Sequence, residues 1–118
     1  MAKTLAWIFG VVFLLVAILG FRMGEGMLLG YFAVNQMHNL VHLLSGIAAI
    51  GAALAGERYA RMYFQIFGVV YLLVTIIGFA TGNLLGMTLN MADNILHLAI
   101  AAVALIVGFV GHRAPAAA

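Results

Sequence analysis

Two pairs of ionisable residues are prominent in this chain because each pair is spaced four residues apart inside an apolar segment. The pairs are His38 with His42 and Asp93 with His97. Residues four apart lie one above the other on one face of an α-helix. Ionisable side chains within long apolar segments are rare and are candidates for function. If the two faces meet, three imidazoles and one carboxylate form a ligand set of the kind that binds Zn²⁺, Fe²⁺ or Cu²⁺.

The same residues support two other interpretations. His42 and His97 hold equivalent positions on two different helices, which is what the two axial ligands of a b-type haem require. Alternatively, the histidines and Asp93 only hydrogen-bond across a helix contact and hold the fold together without any cofactor. The sequence leaves the metal site, the haem site and the structural contact open.

Four asparagines accompany these pairs. Asn35 and Asn90 each stand just before an apolar run, where Asn is a favoured N-cap because its side chain accepts a hydrogen bond from an unpaired backbone N–H. Asn39 and Asn94 each follow the first residue of a pair. We predict a structural capping role for all four, and Asn39 and Asn94 are also placed to orient metal ligands by hydrogen bonding.

The elements that position these residues follow from composition. The 118 residues are 67% hydrophobic and 7% charged, which indicates an integral membrane protein in contact with a lipid bilayer. Backbone polar groups in lipid must be paired within the segment, so each span is predicted to be a helix. The predicted spans are Leu5–Phe21, Gln36–Ala55, Tyr59–Phe79 and Met91–Gly111. The chain has no cysteine, which excludes thiolate metal sites, and its few basic residues do not indicate nucleic-acid binding.

The chain also repeats itself. Residues 9–16 (FGVVFLLV) return at 67–74 as FGVVYLLV, and residues 35–43 return in altered form at 90–98. Each repeat contains two spans, so both halves cross the bilayer in the same direction. We therefore predict an all-α, integral membrane four-helix bundle built from two parallel-repeat helical hairpins. It forms one transmembrane domain over residues 1–118, with repeat one at about 5–56, repeat two at about 59–111 and a disordered tail at 112–118.

These motifs resemble a bacterial family of four-helix membrane proteins that is catalogued only as a domain of unknown function, DUF4383. The resemblance rests on the doubled FGVV(F/Y)LLV, on Leu28–Gly30 and Leu84–Gly86, and on the paired Asn-x-x-(His/Asp)-Asn-x-x-His, and it covers Ile8 to Val110. It implies four spans and a bacterial inner membrane, and it supplies no activity.

Basic residues predict the orientation. Lys3, Arg58, Arg61 and Arg113 fall on one side of a four-span arrangement and only Arg22 on the other. Because loops rich in Lys and Arg stay in the cytoplasm, we expect both termini there.

The function we expect first is that of a small non-enzymatic membrane protein. It would act as an accessory or assembly subunit, within a homo-oligomer or a larger membrane complex. No nucleophile–base pair, phosphate loop or nucleotide fingerprint is present in the sequence, which favours a non-enzymatic role. The alternatives are a metal- or haem-binding redox module that uses His38, His42, Asp93 and His97, and an oligomeric transporter or channel.

Overall fold

The structure, a computed structural model, describes residues 1–110 and consists of four long helices and two short β-hairpins. The helices are α1 (Ala2–Met23), α2 (Gln36–Ala55), α3 (Glu57–Thr81) and α4 (Met91–Leu105), and α4 continues as a π-helical turn over Ile106–Val110. The strands are β1 (Gly26–Leu28), β2 (Phe32–Val34), β3 (Asn83–Leu84) and β4 (Met87–Thr88). The predicted tail at 112–118 lies outside the described residues.

All four helices, with the π-helical turn counted as part of α4, are long and apolar enough to cross a membrane. The prediction of a four-helix membrane fold is therefore confirmed. The second span begins and ends where the sequence predicts, while α1 and α3 extend two or three residues further at each end. Large apolar side chains such as Leu15, Ile66 and Leu54 are exposed along the helices, as expected of a surface that faces lipid.

Small residues set how the helices pack. α1 lies along α2 and α3 lies along α4, which forms two helical hairpins. Gly10 of α1 and Gly46 of α2 approach so closely that a side chain on either residue would meet the backbone carbonyl of the other. The two hairpins meet through α1 and α3, where Phe9 and Phe13 contact Phe67 with ring centroids 6.1 and 5.6 Å apart. This aromatic contact forms the centre of the apolar core.

The connections within the hairpins depart from a purely helical fold. β1 pairs with β2, and β3 pairs with β4, both antiparallel. The β3–β4 turn places Leu85 and Gly86 at φ values of 52° and 86°, as a type I′ turn requires. Leucine is uncommon at such an angle. The turn has Leu-Gly in place of the Asn-Gly that usually indicates a hairpin, so the strands were not predicted from the sequence.

The two ends of the bundle are tied in different ways. At one end Glu57 binds the start of α1: it pairs with the N-terminal ammonium group at 3.1 Å and accepts from the backbone N–H of Ala2 at 2.9 Å. At the other end both β-hairpins meet helix caps from the opposite half of the chain. The side-chain amide of Asn35 donates to the Gly86 carbonyl at 2.7 Å, and that of Asn90 donates to the Tyr31 carbonyl at 2.8 Å. The first turns of α2 and α4 are thereby held side by side.

Candidate metal centre

The first turns of α2 and α4 start in the same way. The Asn35 side chain accepts from the backbone N–H of His38 at 2.9 Å, and the Asn90 side chain accepts from the backbone N–H of Asp93 at 2.9 Å. Each asparagine thus caps its helix. His42 then lies one helical turn further along α2, on the face that α2 turns towards the other helices.

Three histidines converge between α2 and α4. His38, His42 and His97 each offer one ring nitrogen, and the three nitrogens lie within 4.8 Å of one another. The ring centroids of His38 and His42 are 4.4 Å apart, and those of His38 and His97 are 5.7 Å apart. All three side chains are at least nine-tenths buried, with exposures of 3%, 7% and 3%. We call these three residues the histidine cluster.

Aromatic rings pack against two members of the histidine cluster. The Phe13 ring of α1 lies 5.6 Å from the His42 ring, and the Tyr71 ring of α3 lies 5.3 Å from the His97 ring, between centroids. The Nδ1 atoms of all three histidines are buried and have no hydrogen-bond partner among the described residues. Buried polar atoms normally have a partner, because leaving one unpaired costs free energy. These three Nδ1 atoms therefore lack the hydrogen bonds that a purely structural role of the histidines would provide.

Asp93, the fourth predicted ligand, lies outside this group. Its carboxylate accepts a hydrogen bond from the backbone N–H of Asn90 at 3.1 Å, which completes a reciprocal capping box with the bond that Asn90 returns. The geometry thus differs from the four-ligand arrangement that the sequence suggested. The carboxylate of Asp93 is hydrogen-bonded at its own helix start, whereas the Nδ1 atom of the equivalent His38 has no hydrogen-bond partner among the described residues.

Asn39 and Asn94 do not cap the helices in which they lie. Their buried side chains pack against glycines of the neighbouring helix: Asn39 against Gly20 of α1, and Asn94 against Gly78 of α3. The Asn39 amide also reaches the carbonyl of Gly24, just past the end of α1, at 3.5 Å. Sequence reasoning missed these glycines, although their equivalent places in the repeat, 58 residues apart, were a usable signal.

Two apolar cavities flank the histidine cluster, and neither was predicted. One, of about 450 Å³, lies between α2 and α3 and is lined in part by His38 and His97. The other, of about 230 Å³, lies between α1 and α4 and is lined in part by His42 and His97. The imidazoles therefore form a polar centre between two apolar spaces.

Comparison with known proteins identifies one family. The family model described as "Domain of unknown function (DUF4383)" matches residues 3–110. No curated protein and no solved structure matches the chain. The family match supports the membrane fold and leaves the chemistry to be argued from the site itself.

Proposed function

We propose that this chain, which belongs to the DUF4383 family, is a small membrane protein that binds a transition-metal ion between His38, His42 and His97. The observation that supports this proposal is the convergence of three buried imidazoles, each with an Nδ1 atom that has no hydrogen-bond partner among the described residues. Each histidine is held by a helix whose start is fixed by an asparagine cap. The three imidazoles are therefore close together before an ion binds.

The donor set indicates which ions fit. Neutral imidazole suits zinc, copper, iron and nickel, whereas magnesium and calcium prefer oxygen ligands. A tetrahedral zinc ion with bonds of about 2.0–2.1 Å holds its ligand nitrogens about 3.4 Å apart. Binding would therefore draw the three rings inward from their present spacing of up to 4.8 Å. Three protein ligands leave a fourth position for water or an anion.

Charge also has to be balanced, because an ion in a low-dielectric interior is costly without a counter-charge. Asp93 is buried and lies one helical turn from His97 on α4. Its carboxylate places a negative charge close to the histidine cluster. An anionic fourth ligand such as hydroxide would provide the second negative charge that a divalent ion requires.

A small ion fits this geometry better than haem. A bis-histidine haem needs its flat macrocycle between two axial rings. The imidazole of His38 lies next to those of both His42 and His97, and Phe13 and Tyr71 pack against the outer rings. A macrocycle bound between His42 and His97 would therefore have to displace the His38 ring.

Metal analysis and thermal unfolding together test the proposal. Protein purified without a nickel column should retain about one transition-metal ion per chain, and a chelator should lower its melting temperature. Zn²⁺, Cu²⁺ and Fe²⁺ are then added back separately. An ion present at 100 times its dissociation constant stabilises the folded state by about 2.7 kcal/mol. His42→Gln and His97→Gln should abolish this response, since a neutral amide is a poor ligand for these metals.

Thr75→Val is the matched control. Thr75 is a buried polar residue of α3 whose hydroxyl donates to the Tyr71 carbonyl at 2.7 Å, and it lies outside the histidine cluster. This variant should keep the metal response even if its stability changes. A melt that neither chelator nor any of the three metals shifts, with His42→Gln tolerated, would instead support the structural interpretation of the cluster.

We also propose that the end of the bundle that carries Lys3 and Arg58 faces the cytoplasm of a bacterial inner membrane. The Glu57 contacts with the start of α1 bring both basic residues to the same end, opposite the two β-hairpins. This agrees with the preference of Lys and Arg for cytoplasmic loops. A reporter that is active only in the periplasm should be inactive at the N-terminus and active when inserted at Gly30. The reverse pattern would refute the orientation.

A further inference from the structure

The end of the bundle opposite the β-hairpins carries two arginines that have no carboxylate partner among residues 1–110. Arg58 and Arg61 lie in the first turns of α3. The chain has three acidic side chains, of which Glu25 and Asp93 lie at the hairpin end. The third, Glu57, is bound to the start of α1 and forms the one ion pair found within the described residues, with the N-terminal ammonium group. No carboxylate of the described residues therefore balances the charge of either arginine.

The Arg61 side chain is held between α3 and the π-helical turn that continues α4. Its Nε–H donates to the Gly108 carbonyl in that turn at 3.0 Å. The side-chain amide of Gln65 donates to the same carbonyl, also at 3.0 Å, so both lone pairs of this acceptor are used. A guanidinium group has five N–H donors, and the other four of Arg61 have no partner within residues 1–110. Arg61 is thus fixed through Nε, and its two Nη groups can bind a ligand.

Arg58 adds a second guanidinium group next to that of Arg61. Residues three apart lie on adjacent turns of one helix face, with Cβ atoms about 5–6 Å apart. Arg58 is exposed and Arg61 is half-buried, so the pair combines an accessible group with an oriented one. The planar fork of a guanidinium group matches the oxygen atoms of a phosphate, to which it donates two parallel hydrogen bonds. A phosphodiester has two non-bridging oxygens, so both arginines can bind the same group.

Both arginines lie at the depth of the lipid headgroups. Because α3 has 25 residues, it is about 37 Å long, whereas the hydrocarbon core of a bilayer is about 30 Å thick. The first turn of α3 therefore extends past the hydrocarbon into the interfacial region. The long side chain of Arg61 reaches the same level from one turn deeper. Lipid phosphates are found in this region of the bilayer.

The surface beside the arginines is apolar and faces the lipid. Met62, Ile66 and Val69 follow Arg58 along the same side of α3, and all three are exposed. Phe109 of the π-helical turn is exposed as well. The acyl chains of a lipid can cover these side chains while its head contacts the arginines, whereas a free phosphate ion would leave them uncovered. A cationic pair with adjoining apolar side chains fits an amphiphile that has a phosphate head.

We propose that Arg58 and Arg61 bind the phosphate of an anionic phospholipid whose acyl chains lie along α3. A zwitterionic lipid carries an ammonium group beside its phosphate, which offsets the attraction, whereas phosphatidylglycerol carries none. Lys3, whose backbone N–H donates to Glu57 at 3.0 Å, adds a positive charge at the same end. Basic pockets between transmembrane helices bind lipid headgroups in this way. The site lies at the opposite end of the bundle from the histidine cluster and needs no metal ion, so this inference is independent of the metal proposal.

Lipid titrations of chelator-treated protein in dodecyl maltoside, a neutral detergent, test the site. Dioctanoyl phosphatidylglycerol, dioctanoyl phosphatidylcholine and glycerol phosphate are added separately. The second has the same chains and a zwitterionic head, and the third has the phosphate without chains. The shift in melting temperature gives an apparent Kd for each, and native mass spectrometry counts the bound lipids. Phosphatidylglycerol should bind once per chain, about tenfold or more tightly than either of the others.

Four variants locate the binding site. Arg58→Gln and Arg61→Gln should each weaken phosphatidylglycerol binding by about tenfold, because each removes charge-assisted hydrogen bonds. Arg61→Lys keeps the charge and loses the fork, so it should weaken binding by less than Arg61→Gln does. The matched control is Arg22→Gln, which removes the same charge from an exposed arginine in the last turn of α1, at the hairpin end. It should bind the lipid like the native chain.

Melting curves without lipid establish that the variants fold. If Arg61→Gln does not fold, because it also loses the bond to Gly108, the comparison of Arg58→Gln with Arg22→Gln decides the case. The proposal is overturned if phosphatidylcholine or glycerol phosphate binds as tightly as phosphatidylglycerol. It is also overturned if Arg22→Gln weakens binding as much as Arg58→Gln, since net charge alone would then govern the attraction.

Discussion

The first turns of α2 and α4 have the same asparagine cap, but the side chain that follows it makes different contacts in each. Each begins with an asparagine cap that also donates to the β-hairpin of the other half of the chain. Three residues after the cap, α4 has Asp93, whose carboxylate returns to the backbone N–H of Asn90. At the same position α2 has His38, whose imidazole instead lies beside His42 and His97.

This difference shows how one residue type can turn a structural position into a ligand position. A carboxylate accepts hydrogen bonds and is attracted to the positive end of a helix, so Asp93 is satisfied where it stands. The imidazole of His38 leaves its Nδ1 atom without a partner in the part of the chain described. The histidine cluster is consequently asymmetric, with two residues from α2 and one from α4. An asymmetric site has arisen from a nearly symmetric framework.

The largest predicted effect tests whether the first turns of α2 and α4 are held by equivalent contacts with the neighbouring helices. An added methyl group at Gly20 would meet the amide of Asn39, and one at Gly78 would meet the amide of Asn94, closer than real Cβ contacts allow. Because both asparagines are buried, neither can move aside cheaply. Gly20→Ala and Gly78→Ala should each lower the free energy of unfolding by about 2–3 kcal/mol. Denaturation in detergent micelles measures this.

Gly51→Ala is the control for these two substitutions. Gly51 lies within α2, and nothing lies within 4 Å of the position that its Cβ would take. Alanine is favoured over glycine inside a helix, so this variant should match the native stability or exceed it by up to about 1 kcal/mol. If one glycine variant is destabilised and the other is not, the two turns are not equivalent and the comparison fails.

Much of the fold was accessible from the sequence because lipid imposes simple constraints. Long apolar segments must be helices, and an asparagine before such a segment marks a helix start. The sequence accordingly predicts four spans, and α2 begins and ends at the predicted residues. The β-hairpins were not accessible, because a leucine at positive φ, such as Leu85, gives no recognisable turn signal.

The sequence indicated which side chains could form the site, but it did not indicate how they are arranged in space. Helical spacing places His38 with His42 and Asp93 with His97, yet it cannot show how two helices are rotated against each other. Whether Asp93 turns to its own helix start or to the histidines depends on competition between a local hydrogen bond and a distant one. The two cavities beside the histidine cluster are gaps between helices, and the spacing of residues along the sequence gives no information about such gaps.

The smallest predicted effect tests the one difference between the turns. His38→Asp gives α2 the residue that α4 has, and its carboxylate should accept from the backbone N–H of Asn35 as Asp93 does from Asn90. A cap of this kind contributes about 0.5–1 kcal/mol, and it offsets the packing lost with the imidazole. In the presence of chelator, the free energy of unfolding should therefore stay within about 1 kcal/mol of the native value. Thermal and detergent-induced unfolding measure this.

The metal response should change even though stability does not. A carboxylate held by the helix start is unavailable to an ion, so His38→Asp should lose the stabilisation by Zn²⁺ that the native chain shows. The mirror variant, Asp93→His, gives up the capping carboxylate and costs about 0.5–1 kcal/mol. It should keep all three ligands and show a weakened Zn²⁺ response, because the counter-charge of Asp93 is lost. Retained Zn²⁺ stabilisation in His38→Asp would mean that the carboxylate prefers the ion to the cap. Asp93 would then belong with the ligands, and the contrast between the two turns would disappear when metal binds.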